Sequence, residues 1–183
     1  MNHLIQRPRR NRKSKAIRSL TQETTLTVND LVLPLFVVEG EKQKQPIDSM
    51  PGCFRYSLDL LTEVVQEAHG LGIQAVALFP AIEDAAKDSM ATESRNHEGL
   101  LQRTIRHLKD QCPEMCLITD VAMDPYSSDG HDGIVENGEI LNDETLDVLC
   151  KMAVSQAKAG ADIVAPSDMM DGRVGALREA LDA

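Results

Sequence analysis

Four short apolar runs punctuate the chain, at residues 31–37, 75–79, 117–123 and 162–165. Each is bounded by turn-forming residues and is too short for a helix, so each predicts a buried strand. After every run and its loop, apolar residues recur with helical spacing. Leu61, Val64, Val65, Ala68 and Leu71 line one face of a first helix, with Ser57 as candidate N-cap. Leu101, Ile105 and Leu108 form a shorter stripe that closes before Pro113. Leu146, Leu149, Cys150, Ala153 and Ala157 form a third, opened by Asn142 with Asp143 and Glu144 in its first turn. A fourth helix begins near Gly172.

Two junctions, Leu71-Gly72-Ile73 and Ala159-Gly160-Ala161, run from a helix end through Gly into a β-branched strand, where Gly is expected in the left-handed position. Strand–helix alternation repeated four times predicts an α/β fold with a parallel sheet. Length alone favours an open, flavodoxin-like sheet, because a (β/α)₈ barrel takes about 250 residues and this chain has 183. The motifs must decide.

Charge changes the picture at one end. Residues 1–22 hold Arg7, Arg9, Arg10, Arg12, Lys13, Lys15 and Arg18 and no acid, leaving 12 basic against 29 acidic residues in the remainder. So acidic a body repels a phosphate backbone, which argues against nucleic acid as the partner. The basic stretch reads instead as an arm, residues 1–28, that lies on an acidic neighbouring subunit; residues 29–183 form the body. No apolar run approaches the roughly 20 residues that span a bilayer, so no membrane is expected. The start lacks a secretory apolar segment and the Ser-rich leader of an organelle transit peptide, and a cytoplasmic location is the expectation. Cys53, Cys112, Cys116 and Cys150 form no CxxC pair and read as free thiols.

The chemistry concentrates in one loop, Thr119-Asp120-Val121-Ala122-Met123-Asp124-Pro125-Tyr126-Ser127-Ser128-Asp129-Gly130-His131-Asp132-Gly133. Strand alternation places Asp120, Ala122 and Asp124 on one face, with the two carboxylates about 13 Å apart along an ideal strand, too far to share an ion. Pro125 ends the strand, and the turn at 130–133 brings Asp132 back towards Asp124. Asn137-Gly138 between apolar residues predicts a hairpin flap. Long connections at the carboxyl ends of strands are where α/β enzymes place their sites. An Asp- and Ser-rich loop is equally the composition of a solvated turn.

The loop resembles the metal-loop signature of the porphobilinogen synthase (5-aminolevulinate dehydratase) family. The resemblance extends over nearly the whole chain: Arg7-Pro8-Arg9-Arg10-Asn11-Arg12, Leu33-Pro34-Leu35-Phe36-Val37, Ser49-Met50-Pro51-Gly52, Val76-Ala77-Leu78-Phe79-Pro80, Leu141-Asn142-Asp143-Glu144-Thr145, and Ala165-Pro166-Ser167-Asp168-Met169-Met170-Asp171-Gly172-Arg173. It implies a (β/α)₈ TIM barrel with an extended N-terminal arm, of which roughly the first four βα units are present, assembled as a homo-octamer. It implies condensation and dehydration of two 5-aminolevulinate molecules to porphobilinogen, the pyrrole unit of tetrapyrroles such as haem and chlorophyll.

Zinc-dependent members carry three cysteines in this loop; the matching positions here are Ala122, Asp124 and Asp132. Carboxylates suit Mg²⁺ and alkali cations, and Ala122 offers no donor, so a three-ligand zinc site is excluded. The resemblance is to the aspartate-rich, zinc-free branch, in which magnesium, often with a monovalent cation, supports activity. Asp124 and Asp132 are the expected metal positions. Asp120 matches the aspartate that positions substrate and handles protons near the Schiff base, and Ser167 matches a serine of that substrate's pocket. The family's two Schiff-base lysines sit on later strands, the first in a block reading S-Y-S-A-K-Y. That block is absent from this sequence; of its lysines, Lys87, in the loop after the second strand, is the one placed to face the barrel mouth. The chain alone is therefore expected to be inactive, as the opening part of a full-length synthase. The competing reading is a non-catalytic half-barrel that binds only cations or other subunits.

Overall fold

The computed structural model describes residues 5–183, so the first four residues of the expected arm lie outside the described residues. Contacts divide the chain into two compact units, Met1–Asp30 and Leu31–Ala183. The first contains a 3₁₀ turn, Pro8–Arg12, and the short helix α1 (Lys15–Leu20). Ser14 caps α1, its Oγ accepting from the Ile17 amide at 3.2 Å. Every described residue of this unit is exposed, including Ile5, Leu20 and Leu26.

The second unit holds β1 (Val32–Val38), β2 (Lys44–Pro46), β3 (Phe54–Tyr56), α2 (Leu58–Gly70), β4 (Ala75–Ala81), α3 (Leu100–Gln111), β5 (Cys116–Val121), β6 (Ile134–Glu136), β7 (Glu139–Leu141), α4 (Asn142–Ala159), β8 (Ile163–Pro166) and α5 (Arg173–Asp182). The main sheet has the order β2-β3-β1-β4-β5-β8, parallel throughout except where β2 meets β3. The strands at the four predicted runs, β1, β4, β5 and β8, stand side by side in chain order. A doubly wound sheet reverses its order once. Here every crossover advances the same way, which puts all the helices on one face. That is the winding of a (β/α)₈ barrel, and it overrides the length argument for an open flavodoxin-like sheet.

Alternation along the strands sorts the two faces. Leu35, Val37, Val76, Leu78 and Leu117 are buried against Leu61 and Val65 of α2 and Leu101, Ile105 and Leu108 of α3. The opposite face is open: Pro34 and Ala165 are exposed, Val32 and Ile163 keep 48% of their surface, and Phe36 stacks on Phe79 with centroids 5.5 Å apart. A second core, built from Val121, Met123, Tyr126, Val148, Leu149, Met152, Met170 and Leu177, lies under the loop that follows β5.

Local chemistry sets most boundaries as expected. Gly160 ends α4 at φ 112°, and Asn137 and Gly138, both at positive φ, turn β6 into the antiparallel β7. Three expectations shift. β5 stops at Val121, two residues early, because the chain turns at Ala122, which is buried, and sends Met123 into the second core. Ser57 sits at the N-cap of α2 but its Oγ accepts from the Gln43 amide at 2.8 Å instead of a helix amide. Asn142 is already inside α4, and its side-chain amide exchanges two hydrogen bonds with the Asp171 backbone, at 2.7 and 3.2 Å. The short strands β2 and β3 were not foreseen. Among the described residues no helix is long and apolar enough to cross a membrane.

Candidate active site at the carboxyl ends of β5 and β8

Asp120 is the penultimate residue of β5 and points to the face opposite the helices, opposite Ala165 in register. Ser167 lies two residues beyond Ala165 on the same face, and its amide extends the ladder by donating to the Val121 carbonyl at 3.3 Å. The Ser167 hydroxyl donates to Asp120 Oδ1 at 2.6 Å. Behind the strand, fully buried Gln156 of α4 accepts from the Thr119 hydroxyl and donates to the Asp120 carbonyl, both at 2.8 Å. The strand end is thus fixed from both sides.

Asp124 is presented by a tight turn. The Met123 carbonyl accepts from the Tyr126 and Ser127 amides, both at 2.8 Å, while the Met123 and Tyr126 side chains anchor in the second core. With its neighbours pinned, Asp124 is held outward. The loop is also tied to the one after β4, where the Asp88 amide donates to the Tyr126 carbonyl and the Asp88 carbonyl accepts from Ser128. Asp132 is returned to Asp124 at Gly133, which is buried so tightly that an added Cβ would stand 2.8 Å from Ile140 and 3.2 Å from Met170.

The result is a cluster of carboxylates. Asp124 is raised to about 6, first by partial burial, then by the charge of Asp132 and a hydrogen bond with it, then by Asp120. Burial also raises Asp120 above the usual carboxylate range; the Ser167 hydroxyl and the Val121 amide draw it back, while Asp132 and Asp168 push it up. Asp168, fully buried, is raised by desolvation even though Met170 and Arg173 oppose the shift. Its Oδ1 accepts from the Met170 amide at 2.8 Å, and its Oδ2 stands 3.6 Å from Arg173 Nε without a hydrogen bond.

Each expected site residue is therefore at one end of the sheet: Asp120 with Ser167, and Asp124 with Asp132. The Asp120 charge also bears on Asp124, helping to raise it. Sequence reasoning missed Gln156, Tyr126, Asp88 and Asp168. Asp168 and Tyr126 carried a signal, through their places in the Ser167-Asp168-Met169-Met170-Asp171 block and the Thr119–Gly133 loop. Lys87 is paired with Asp84 at 2.8 Å. Among the described residues no group of three or more His, Cys, Asp or Glu side chains can hold one ion. The two carboxylates of Asp124 and Asp132, crowded together and short of a counter-charge, nonetheless suit a hard cation that keeps most of its waters and takes one or two protein oxygens.

The family model for delta-aminolevulinic acid dehydratase matches residues 5–183. A chloroplastic delta-aminolevulinic acid dehydratase of Glycine max is 58% identical over 182 residues, covering 98% of this chain and 44% of the relative. The Chlamydia pneumoniae dehydratase is 50% identical, covering 98% of this chain and 54% of its own. The crystal structure of the Toxoplasma gondii enzyme, in complex with the reaction product porphobilinogen, superposes with a TM-score of 0.94 at 52% identity, over 98% of this chain and 51% of that one. The chain spans about half the length of these relatives. The expected cytoplasmic location is overturned: the plant relatives are named chloroplastic, which points to the plastid. A compartment is read by receptors from an address segment and leaves no trace in the packing of the barrel. By the match over its whole described length, this chain belongs to the delta-aminolevulinic acid dehydratase family.

Proposed function

We propose that this chain supplies the opening half of a porphobilinogen synthase, which condenses two molecules of 5-aminolevulinate into porphobilinogen. The observation that carries the reading is the Ser167–Asp120 hydrogen bond, made at the carboxyl ends of two neighbouring parallel strands, where barrel enzymes place their chemistry. In this reading Asp120 holds a proton beside the substrate. Burial raises its pKa and so favours the protonated form, and the Ser167 hydroxyl orients the carboxyl and contacts the substrate. The Schiff-base lysines come from strands beyond this chain.

Asp124 and Asp132 would hold Mg²⁺, often accompanied by a monovalent cation, in place of zinc. When bound, the ion supplies positive charge to a loop that otherwise stacks carboxylates. The arm serves subunit contacts in a homo-octamer, a role supported by its exposed Ile5, Leu20 and Leu26 and its run of arginines. A non-catalytic half-barrel is the second reading, favoured only by the absence of a lysine from the strand-end cluster.

The test is complementation. The chain is mixed with the remaining portion of the Glycine max relative, and porphobilinogen formation from 5-aminolevulinate is measured. Turnover in the mixture is expected, lost when Asp120→Asn is introduced. The chain alone, treated with 5-aminolevulinate and borohydride, should gain no adduct on any lysine. An adduct on the chain alone, or full turnover with Asp120→Asn, would refute the assignment.

A further inference from the structure

In the helical layer, a groove of about 490 Å³ lies between α4, α5 and the 3₁₀ turn Thr92–Arg95. Its floor is apolar, formed by Cys150, Val154 and Ala180, and its rim carries Arg95, Lys151 and Lys158. Lys151, Val154 and Lys158 follow one another at helical spacing on the face of α4 that turns away from the sheet, since Leu149, Met152, Ala153 and Gln156 take the inner face.

Among the described residues, none of these three cations forms an ion pair with a carboxylate. That is unexpected in a unit where acids outnumber bases more than twofold, and where Arg103, Arg106, Lys109 and Arg178 all find carboxylates. No nearby carboxylate closes an ion pair with these three. Glu98 pairs with His97 at the edge of the groove, Asp88 caps the Met90 and Thr92 amides and feels the Arg95 charge without closing an ion pair to it, and Asp147 and Glu179 bear on the Cys150 thiol, which burial raises first.

The geometry points to a binding site for a small organic polycarboxylate with an apolar body: the hydrocarbon or aromatic part on Val154, Cys150 and Ala180, the carboxylates against Arg95, Lys151 and Lys158. A hydrated inorganic anion gains nothing from such a floor, whereas an apolar body does. Planar Arg95 can take a carboxylate in two parallel bonds, and the two lysines act as mobile point charges.

Benzene-1,2,4-tricarboxylate is the probe, titrated into the ¹⁵N-labelled chain at constant ionic strength. Saturable amide shifts at Lys151, Val154 and Lys158 and at the Arg95 side chain are expected, with inorganic phosphate producing weaker shifts there. The double variant Lys151→Gln/Lys158→Gln, at two exposed positions, should keep its circular dichroism and weaken binding about tenfold. Shifts confined to the basic arm at 7–13, equal affinity for phosphate, or undiminished binding by the folded double variant each overturn the proposal.

Discussion

The Ser167 hydroxyl donates to Asp120 Oδ1 at 2.6 Å, across the gap between two neighbouring strand ends. This bond stabilises the ionised form of a carboxyl that burial, Asp132 and Asp168 all push towards protonation. Ser167→Ala removes the side chain that opposes the rise among the described residues. The Asp120 pKa should therefore climb further, visible in a carboxyl ¹³C titration of the chain. In the complemented enzyme the same change should lower kcat/KM by about 10- to 100-fold, in the range for loss of one oriented proton partner. An unchanged titration would mean that the hydroxyl points elsewhere in solution.

Asp124 and Asp132 give a prediction with a definite sign. Asp124 is raised from the ordinary carboxylate value of 3.8 to about 6, with burial first and Asp132 the leading charge responsible. The folded chain then holds a proton between these values that the unfolded chain has lost. Its stability falls as pH rises through that window and stays at the lower level above it. Asp132→Asn keeps the shape and removes the charge, so Asp124 should titrate nearer the ordinary range and the fall should shrink. Mg²⁺ should act in the same direction, lowering the apparent Asp124 pKa and raising Tm above pH 6 while leaving Tm at pH 4 unchanged. A titration near 6 that ignores both the substitution and the ion would remove the basis for the pair.

Gln156 tests how firmly the Asp120 strand end is held. Its two side-chain bonds, to the Thr119 hydroxyl and the Asp120 carbonyl, are buried and part-buried respectively. Gln156→Leu takes the side-chain donor from the Asp120 carbonyl and leaves the Thr119 hydroxyl only its longer 3.5 Å bond to the Ile163 carbonyl, and should cost about 1–3 kcal/mol per group so deprived. Adding Thr119→Val removes one orphan, so the double variant should be less destabilised than the sum of the singles. Strict additivity in urea denaturation would show that the two side chains do not meet.

How much of this was readable beforehand follows from the range of the forces involved. The four strands and the helices behind them were legible because alternation and helical spacing are local consequences of burying one face. Asn137-Gly138 announced the hairpin because few other pairs accept two positive φ angles. The end of β5 was misplaced for the opposite reason. Ala122 and Met123 are apolar enough to continue a strand, and only the second core, where Met123 meets residues of α4 and α5, shows that the chain leaves it. Gln156 is a polar residue in mid-helix and reads as solvated, since its partners lie 36 and 37 positions away. The loop carrying Asp124 and Asp132 was singled out through its resemblance to a family; the approach of Asp132 to Asp124 depends on tertiary packing that no spacing rule encodes.

That packing converges on Gly133, and it makes the sharpest structural prediction. Gly133 adopts no left-handed backbone, so its requirement is space, not φ. A methyl group there would press on Ile140 of the flap at 2.8 Å, on the Thr145 hydroxyl at 3.1 Å and on Met170 at 3.2 Å. The Thr145 hydroxyl cannot retreat cheaply, because it accepts from the Ile134 amide at 3.0 Å and donates to the Leu141 carbonyl at 2.6 Å. Gly133→Ala should therefore lift the hairpin instead of unfolding the barrel units, costing about 1–3 kcal/mol as an overpacked site does. Because Asp132 precedes Gly133, the shift should part it from Asp124, and the Asp124 pKa should drop towards the ordinary carboxylate range. A variant that loses stability while Asp124 still titrates near 6 would show that the hairpin moves without carrying Asp132, and that some other feature of the loop holds the two carboxylates together.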